Sequence, residues 1–150
     1  MKEFGDQRIA AGERCLVVDL GDCTGMDSTF MGTLAGMAAR LSTHENASLQ
    51  IADASSRNRR SLEDLGLDFM MEIDPPEAGW RGNMDSIRED LKSQAAPAMP
   101  TSIQRTKHVL EAHQELAANN KKNAEAFSNV VAVLEGELKE KLKETGPSPE

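Results

Sequence analysis

The pattern of apolar and polar positions in the first half of the chain alternates between signals for helices and signals for short strands. Residues 15–20 form a mostly apolar run with β-branched residues at its centre, which is typical of a strand covered on both faces. At 30–41, apolar residues recur three and four positions apart, which predicts a helix. The other predicted elements are helices at 2–11 and 57–65 and strands at 49–52 and 69–73. This order predicts an α/β fold, a small sheet with packed helices.

Polar and small residues define the start and the packing of the helix at 30–41. Asp27 and Ser28 precede its first apolar residue, and either side chain is a natural cap for the helix N-terminus. Gly32 and Gly36 lie four positions apart, although each glycine costs a helix about 1 kcal/mol. Such small residues predict that the backbone of this helix lies close to the sheet.

Proline and composition divide the rest of the chain. A pair of adjacent prolines ends the α/β region, so we expect the first domain at 1–74 and a linker with a short helix at 75–100. Residues 101–144 contain no proline and a single glycine, which predicts one long helix. The last six residues, 145–150, predict a disordered tail.

The long helix carries a seven-residue repeat that is typical of a coiled coil. The repeated positions are Ile103, Leu110, Ala117, Ala124, Val131 and Leu138, together with Thr106, His113, Asn120, Phe127, Leu134 and Lys141 three residues after them. The repeat is weakest around Asn120, where small and polar residues occupy it. An unbroken helix of this kind would be roughly 66 Å long, more than a small domain can cover. We therefore expect it to self-associate or to fold back on the helix at 30–41.

Composition excludes several classes of protein. The net charge is −8 and the isoelectric point is near 4.9, so a non-specific binder of nucleic acid or of an anionic membrane is not expected. No apolar run approaches the length of a membrane span, and no signal peptide is recognisable at the start of the sequence. Two cysteines do not make a disulfide framework. The expected location is the cytoplasm.

The sequence contains no recognisable catalytic constellation. His108 and His113 are five positions apart, which is not the spacing of a helical metal pair, and neither Cys15 nor Cys23 belongs to a CxxC motif. No glycine-rich phosphate loop is present. We therefore predict no catalytic residues, no metal site, no cofactor and no enzymatic activity.

Two adjoining segments resemble the signature of STAS domains, the family of bacterial anti-anti-sigma factors that also occurs in stressosome subunits and on sulfate transporters. Residues 17–20 read Val-Val-Asp-Leu, and residues 26–34 read Met-Asp-Ser-Thr-Phe-Met-Gly-Thr-Leu. The resemblance extends in element order over 1–73. Two departures are Thr29 and Phe30, where the family usually has serine and glycine. The family fold also begins with a strand pair ahead of its first helix, so we expect either an earlier start of the chain or an incomplete sheet.

The resemblance implies a regulatory function for Ser28. A partner serine kinase would phosphorylate it and a phosphatase would restore it, supported by Asp27, Asp19 and Thr29. A phosphate at a helix start meets unpaired N–H groups, and its charge changes how an acidic edge fits a partner. The implied partner is a kinase-type anti-sigma factor, so the chain would be a non-enzymatic anti-sigma factor antagonist that regulates bacterial transcription. The implied partner-binding residues are Phe30, Met31, Thr33, Leu34 and Arg57.

Other interpretations remain open from the residues themselves. Ser28 and Asp27 can be helix caps with no further function. Arg57 can belong, with the two arginines that follow it, to a basic face that is exposed to solvent. In a different class of function, the protein is a structural or oligomerising one whose working part is the helix at 101–144. The STAS-like half would then be a degenerate scaffold.

Overall fold

The computed structural model describes residues 1–91 and 98–146. The chain is a mixed α/β structure with a small parallel sheet and a long C-terminal helix, as predicted. Part of the predicted linker and most of the predicted tail lie outside the described residues. The elements are α1 (Lys2–Ala10), β1 (Cys15–Asp19), α2 (Ser28–Leu41), β2 (Ser48–Ala52), α3 (Ser56–Asp64), a 3₁₀ turn (Leu67–Phe69), β3 (Glu72–Ile73), α4 (Met84–Leu91), α5 (Ser102–Asn119) and α6 (Lys121–Glu144).

The three strands are parallel in the order β1-β2-β3, with Cys15 opposite Ser48 and Asp19 opposite Ala52. The third strand is shorter than the predicted 69–73, because Gly66 adopts a left-handed conformation (φ 70°) and sends the chain into the 3₁₀ turn. Phe69, predicted to begin the strand, is 91% exposed.

The prediction that β1 is covered on both faces is wrong. Leu16 and Val18 pack against the core, whereas Cys15, Val17 and Asp19 on the opposite face are exposed. β1 lies at the edge of the sheet, and its exposed residues alternate with those that pack against the core. The strand therefore has one buried face and one exposed face, although apolar and polar residues do not alternate in its sequence.

Helix α2 is the most deeply buried element, because it packs against the sheet on one side and against α5 on the other. Leu34, Met37 and Leu41 are fully buried in an aliphatic core that includes Ile51 and Leu62. A helix in this position has almost no free face. None of the described helices is both long and apolar enough to cross a membrane.

The region at 101–144 is helical as predicted, but it forms two helices rather than one. Asn120 adopts an extended conformation (φ −159°, ψ 167°), and its side chain accepts a hydrogen bond from the backbone N–H of Asn123 at 2.8 Å, which starts α6. The break falls where the predicted seven-residue repeat is weakest. The two helices pack against each other as a hairpin, and the predicted repeat positions on α6 are among its least exposed ones. The seam thus forms within the chain.

Candidate functional site

Ser28 is the first residue of α2, and its hydroxyl is not used to cap the helix. Asp27 has that role, since its carboxylate accepts a hydrogen bond from the backbone N–H of Phe30 at 2.8 Å. Of the two capping residues that the sequence allows, the structure selects Asp27. The Ser28 side chain is half-buried and directed to a different partner.

The partner of Ser28 is a buried histidine on α5. Ser28 Oγ lies 2.9 Å from Nε2 of His113, and Nδ1 of the same ring lies 2.7 Å from the carbonyl oxygen of Val109. Because a carbonyl can only accept, Nδ1 carries the hydrogen, and in the neutral ring Nε2 then accepts the hydroxyl hydrogen of Ser28. The ring is 6% exposed and packs edge-on against Phe127 of α6. One hydroxyl therefore connects α2 to both helices of the hairpin.

A second hydroxyl–histidine pair repeats this arrangement. Thr33 Oγ1 lies 2.7 Å from Nε2 of His108 and donates its own hydrogen to the carbonyl oxygen of Thr29 at 2.8 Å, so here the histidine donates. Burial lowers the pKa of His108 below its ordinary value of 6.5, and the nearby Lys2 ammonium acts in the same direction. The five-residue spacing of the histidines, which does not fit a metal pair, matches the five-residue spacing of Ser28 and Thr33.

Between these two pairs, α2 and α5 approach each other at Gly32. A Cβ atom at this position would overlap the backbone carbonyl group of Ala112. Gly36, one turn later, faces the flexible side chains of Glu115 and Arg40 instead. The prediction that these small residues mark a close approach is correct, but the neighbour of the backbone is α5 and not the sheet. A glycine at position 32 is thus required for the hairpin to lie in its observed position.

The turn of the hairpin is held at the end of α3. The carbonyl oxygen of Leu65 accepts hydrogen bonds from the side-chain amides of Asn119, Asn120 and Asn123, at 3.0, 3.2 and 2.9 Å. A carbonyl at a helix C-terminus has no partner within its own helix, so these amides satisfy it. Asn123 is 1% exposed. Sequence analysis missed these residues, and the cluster of asparagines around the weak point of the repeat was the only signal.

Asp19, the last residue of β1, is bonded to the loop that follows it and to α4. Its carboxylate accepts from the backbone N–H of Gly21 at 2.9 Å and from Arg88 of α4, with Nε at 2.7 Å and Nη2 at 2.9 Å. The Arg88 guanidinium holds the pKa of Asp19 below 3.8. Arg88 also contacts Asp53, after β2, at 2.5 Å. Asp19 thus braces the loop after β1 and fixes α4 to the carboxyl ends of two strands.

The residues predicted to bind a partner divide into two groups. Leu34 is 0% exposed and, like Met31, belongs to the main core with Ile51 and Leu62. Thr33 is buried where α2 meets α5, because it bonds His108. This differs from the exposed docking face that the resemblance implies. Phe30 is half-buried, and Arg57 is exposed beside the loop that leads to Ser28.

Among residues 1–91 and 98–146, no group of three or more histidine, cysteine, aspartate or glutamate side chains is placed to hold a metal ion. No protein-family model matches the sequence, and no curated protein or solved structure shows significant similarity to it.

Proposed function

We propose that the protein is a cytoplasmic, non-enzymatic signalling adaptor of the anti-sigma factor antagonist type, switched by phosphorylation of Ser28. The observation that supports this most is the position of one hydroxyl, Ser28 Oγ, which links α2 to the hairpin through His113. A covalent change at a side chain in such a position acts on the contact between two parts of the molecule. A hydroxyl on an isolated surface would not have this consequence.

The chemistry at the start of α2 also favours a phosphoacceptor. A phosphoryl group adds about −1.5 to −2 charges, which the N-terminal end of a helix tolerates. Asp27 already contributes a carboxylate at this point, so the modified helix start would be strongly anionic. A partner that binds the unmodified surface would lose charge complementarity, while the helix itself would stay folded.

The proposed partners follow from the STAS resemblance. A kinase-type anti-sigma factor would bind on α2 and modify Ser28, and a phosphatase would reverse the modification. Of the implied contact residues, Phe30 and Arg57 are at least partly exposed to solvent while α5 covers α2. Met31 and Leu34 would support the helix from within the core, and Thr33 would become accessible only when α5 moves.

An oligomerising protein built on the helix at 101–144 is the second candidate, and it has less support. The seven-residue repeat that would mediate self-association is used within the chain, between α5 and α6. Val130, Val133 and Leu142 of α6 are exposed, but they lie outside the repeat that would form the seam with a second copy.

The proposal is tested by mapping phosphorylation sites on the protein purified from its native host under growth and stress conditions. We expect phosphate on Ser28 and its loss in Ser28→Ala. Thr29→Ala is the matched control, because it removes the adjacent hydroxyl and should leave the modification in place. Fully covered peptides without phosphate at Ser28 under all conditions would remove the proposal.

A further inference from the structure

The hairpin of α5 and α6 covers the side of α2 that carries Ser28, Gly32 and Thr33. We propose that this hairpin is an internal competitor for that side of α2, and that a phosphoryl group on Ser28 displaces it. The second statement rests on the proposed function, because it assigns a consequence to the modification of Ser28. The first does not depend on any kinase.

The contact between α2 and α5 has the features of a specific binding site. Ser28 and Thr33 each bond a histidine of α5, and Gly32 lies between them against the backbone of Ala112. Leu116, one turn after Ala112, is 0% exposed and belongs to the main core. The contact thus combines two hydrogen bonds, one point of close backbone packing and one apolar side chain. Together these fix the position and the register of α5 along α2.

The same features describe the partner that this site would accept. It is an amphipathic helix with a small residue opposite Gly32 and a large aliphatic residue four positions later, as α5 has in Ala112 and Leu116. A larger side chain opposite Gly32 would push the helix away, because Ala112 approaches the glycine through its backbone. A helix laid into a groove through such regularly spaced residues is a common mode of recognition.

Phosphorylation conflicts with the closed arrangement for two reasons. The phosphate ester has no hydroxyl hydrogen, so Nε2 of His113 loses the hydrogen bond that it accepts at 2.9 Å. The added group also needs space and water at a half-buried side chain, while the His113 ring is 6% exposed and fixed by Val109 and Phe127. Burying a dianion there is costly, and the neighbouring Asp27 is itself anionic. Movement of the hairpin relieves both conflicts.

The first experiment measures hydrogen–deuterium exchange across α5 in the full chain carrying phosphoserine installed at position 28 during synthesis. We expect exchange in α5 at least tenfold faster than in the unmodified chain, with α2 and the sheet still protected. Ser28→Ala, which removes the hydrogen bond and adds no bulk or charge, should change exchange far less. Unchanged or slower exchange in the phosphorylated chain would overturn the proposal, since it would mean that the arrangement of α2 against α5 accommodates the phosphate.

The second experiment opens the hairpin without touching α2. Ala112→Leu adds bulk opposite Gly32, and Ala118→Leu makes the same change on the exposed side of α5 as a matched control. A synthetic peptide of residues 101–120 is the probe. We expect it to bind the Ala112→Leu chain at least tenfold more tightly than it binds the unmodified or Ala118→Leu chains. Equal binding to all three would overturn the internal competitor.

Two further points keep the outcome clear. Asn123→Ala loosens the hairpin from its turn, and it replaces Ala112→Leu as the open form if that variant does not fold. Neither measurement involves a kinase or a host cell. If exchange is faster and the peptide binds, but Ser28 carries no phosphate in the host, the proposed function is removed and the internal competitor remains. If Ser28 is phosphorylated in the host, but exchange is unchanged and the peptide does not bind, the internal competitor is removed and the proposed function remains.

Discussion

Ser28 and His113 are 85 positions apart in the chain, and Ser28 Oγ lies 2.9 Å from His113 Nε2. The bond joins the first turn of α2 to the middle of α5. Since both groups are at least half-buried, water replaces it poorly when it is lost. We expect a double-mutant cycle with Ser28→Ala and His113→Leu to give a coupling energy of about 0.5–1.5 kcal/mol in urea unfolding. A coupling energy near zero would mean that the two groups act independently.

Substitution at the two glycines of α2 separates close packing from helix propensity. Gly32→Ala should lower the free energy of unfolding by about 1–3 kcal/mol, because the new methyl group overlaps the backbone of Ala112. Gly36→Ala meets the flexible side chains of Arg40 and Glu115 and no backbone, so it should be neutral or stabilising by up to about 1 kcal/mol. Denaturant midpoints of the two variants give the comparison. Equal midpoints would contradict the close approach of α5 at position 32.

Removing one buried amide tests how the turn of the hairpin is held. Asn123→Ala takes away a hydrogen bond to the carbonyl oxygen of Leu65 and leaves a small cavity, so we expect a loss of about 1–3 kcal/mol in the free energy of unfolding. Asn129→Ala, an exposed change on the same helix, should stay within about 0.5 kcal/mol of the unmodified chain. Similar losses in the two variants would argue against the anchor.

His108 gives a pH dependence whose direction follows from its environment. The folded state holds the pKa of His108 below the ordinary 6.5, so the unfolded state binds more protons as the pH falls through 6.5. The free energy of unfolding should therefore decrease from neutral pH to mildly acidic pH. Denaturant titrations at several pH values should show a shallower decrease in His108→Gln.

Asp19 gives a second pH dependence of the free energy of unfolding, at more acidic pH. Its pKa is held below 3.8 chiefly by the hydrogen bond from Arg88, so its contribution to stability is present above that value and disappears as the pH falls through the lowered pKa. Arg88→Gln removes this guanidinium and should make the loss of stability in strong acid shallower. Arg60→Gln, at an exposed arginine of α3, is the control. The measurement is the unfolding midpoint against pH.

Local sequence signals predicted the elements well where the structure depends on neighbours in the chain. The apolar spacing at 30–41 and the cap before it locate α2 within two residues of Ser28–Leu41. The strand predicted at 69–73 is present only at Glu72–Ile73, because a left-handed glycine and a tight turn determine the residues before it. The sequence predicted that both faces of β1 are buried, but one face is exposed. The burial of a strand face depends on elements that are distant in sequence.

The candidate site was predicted only in its local half. Ser28 and Asp27 follow from helix-start chemistry, and the small residues of α2 follow from their spacing. The partners of these residues come from α5, and no pattern near either segment states which hydroxyl meets which histidine. The matching five-residue intervals of the two hydroxyls and the two histidines become informative only when the two helices are known to be adjacent.

Because α2 and α5 belong to the same polypeptide, α5 is present at a fixed effective concentration near α2. Any proposed partner must compete with α5 at that concentration. A tethered segment commonly faces its own site at an effective concentration on the order of 1 mM. A partner helix therefore binds the whole chain with an apparent dissociation constant equal to the intrinsic one divided by the open fraction. The affinity of the surface and the affinity of the protein are then separate quantities. A change at Ser28 can alter the second by changing the open fraction alone.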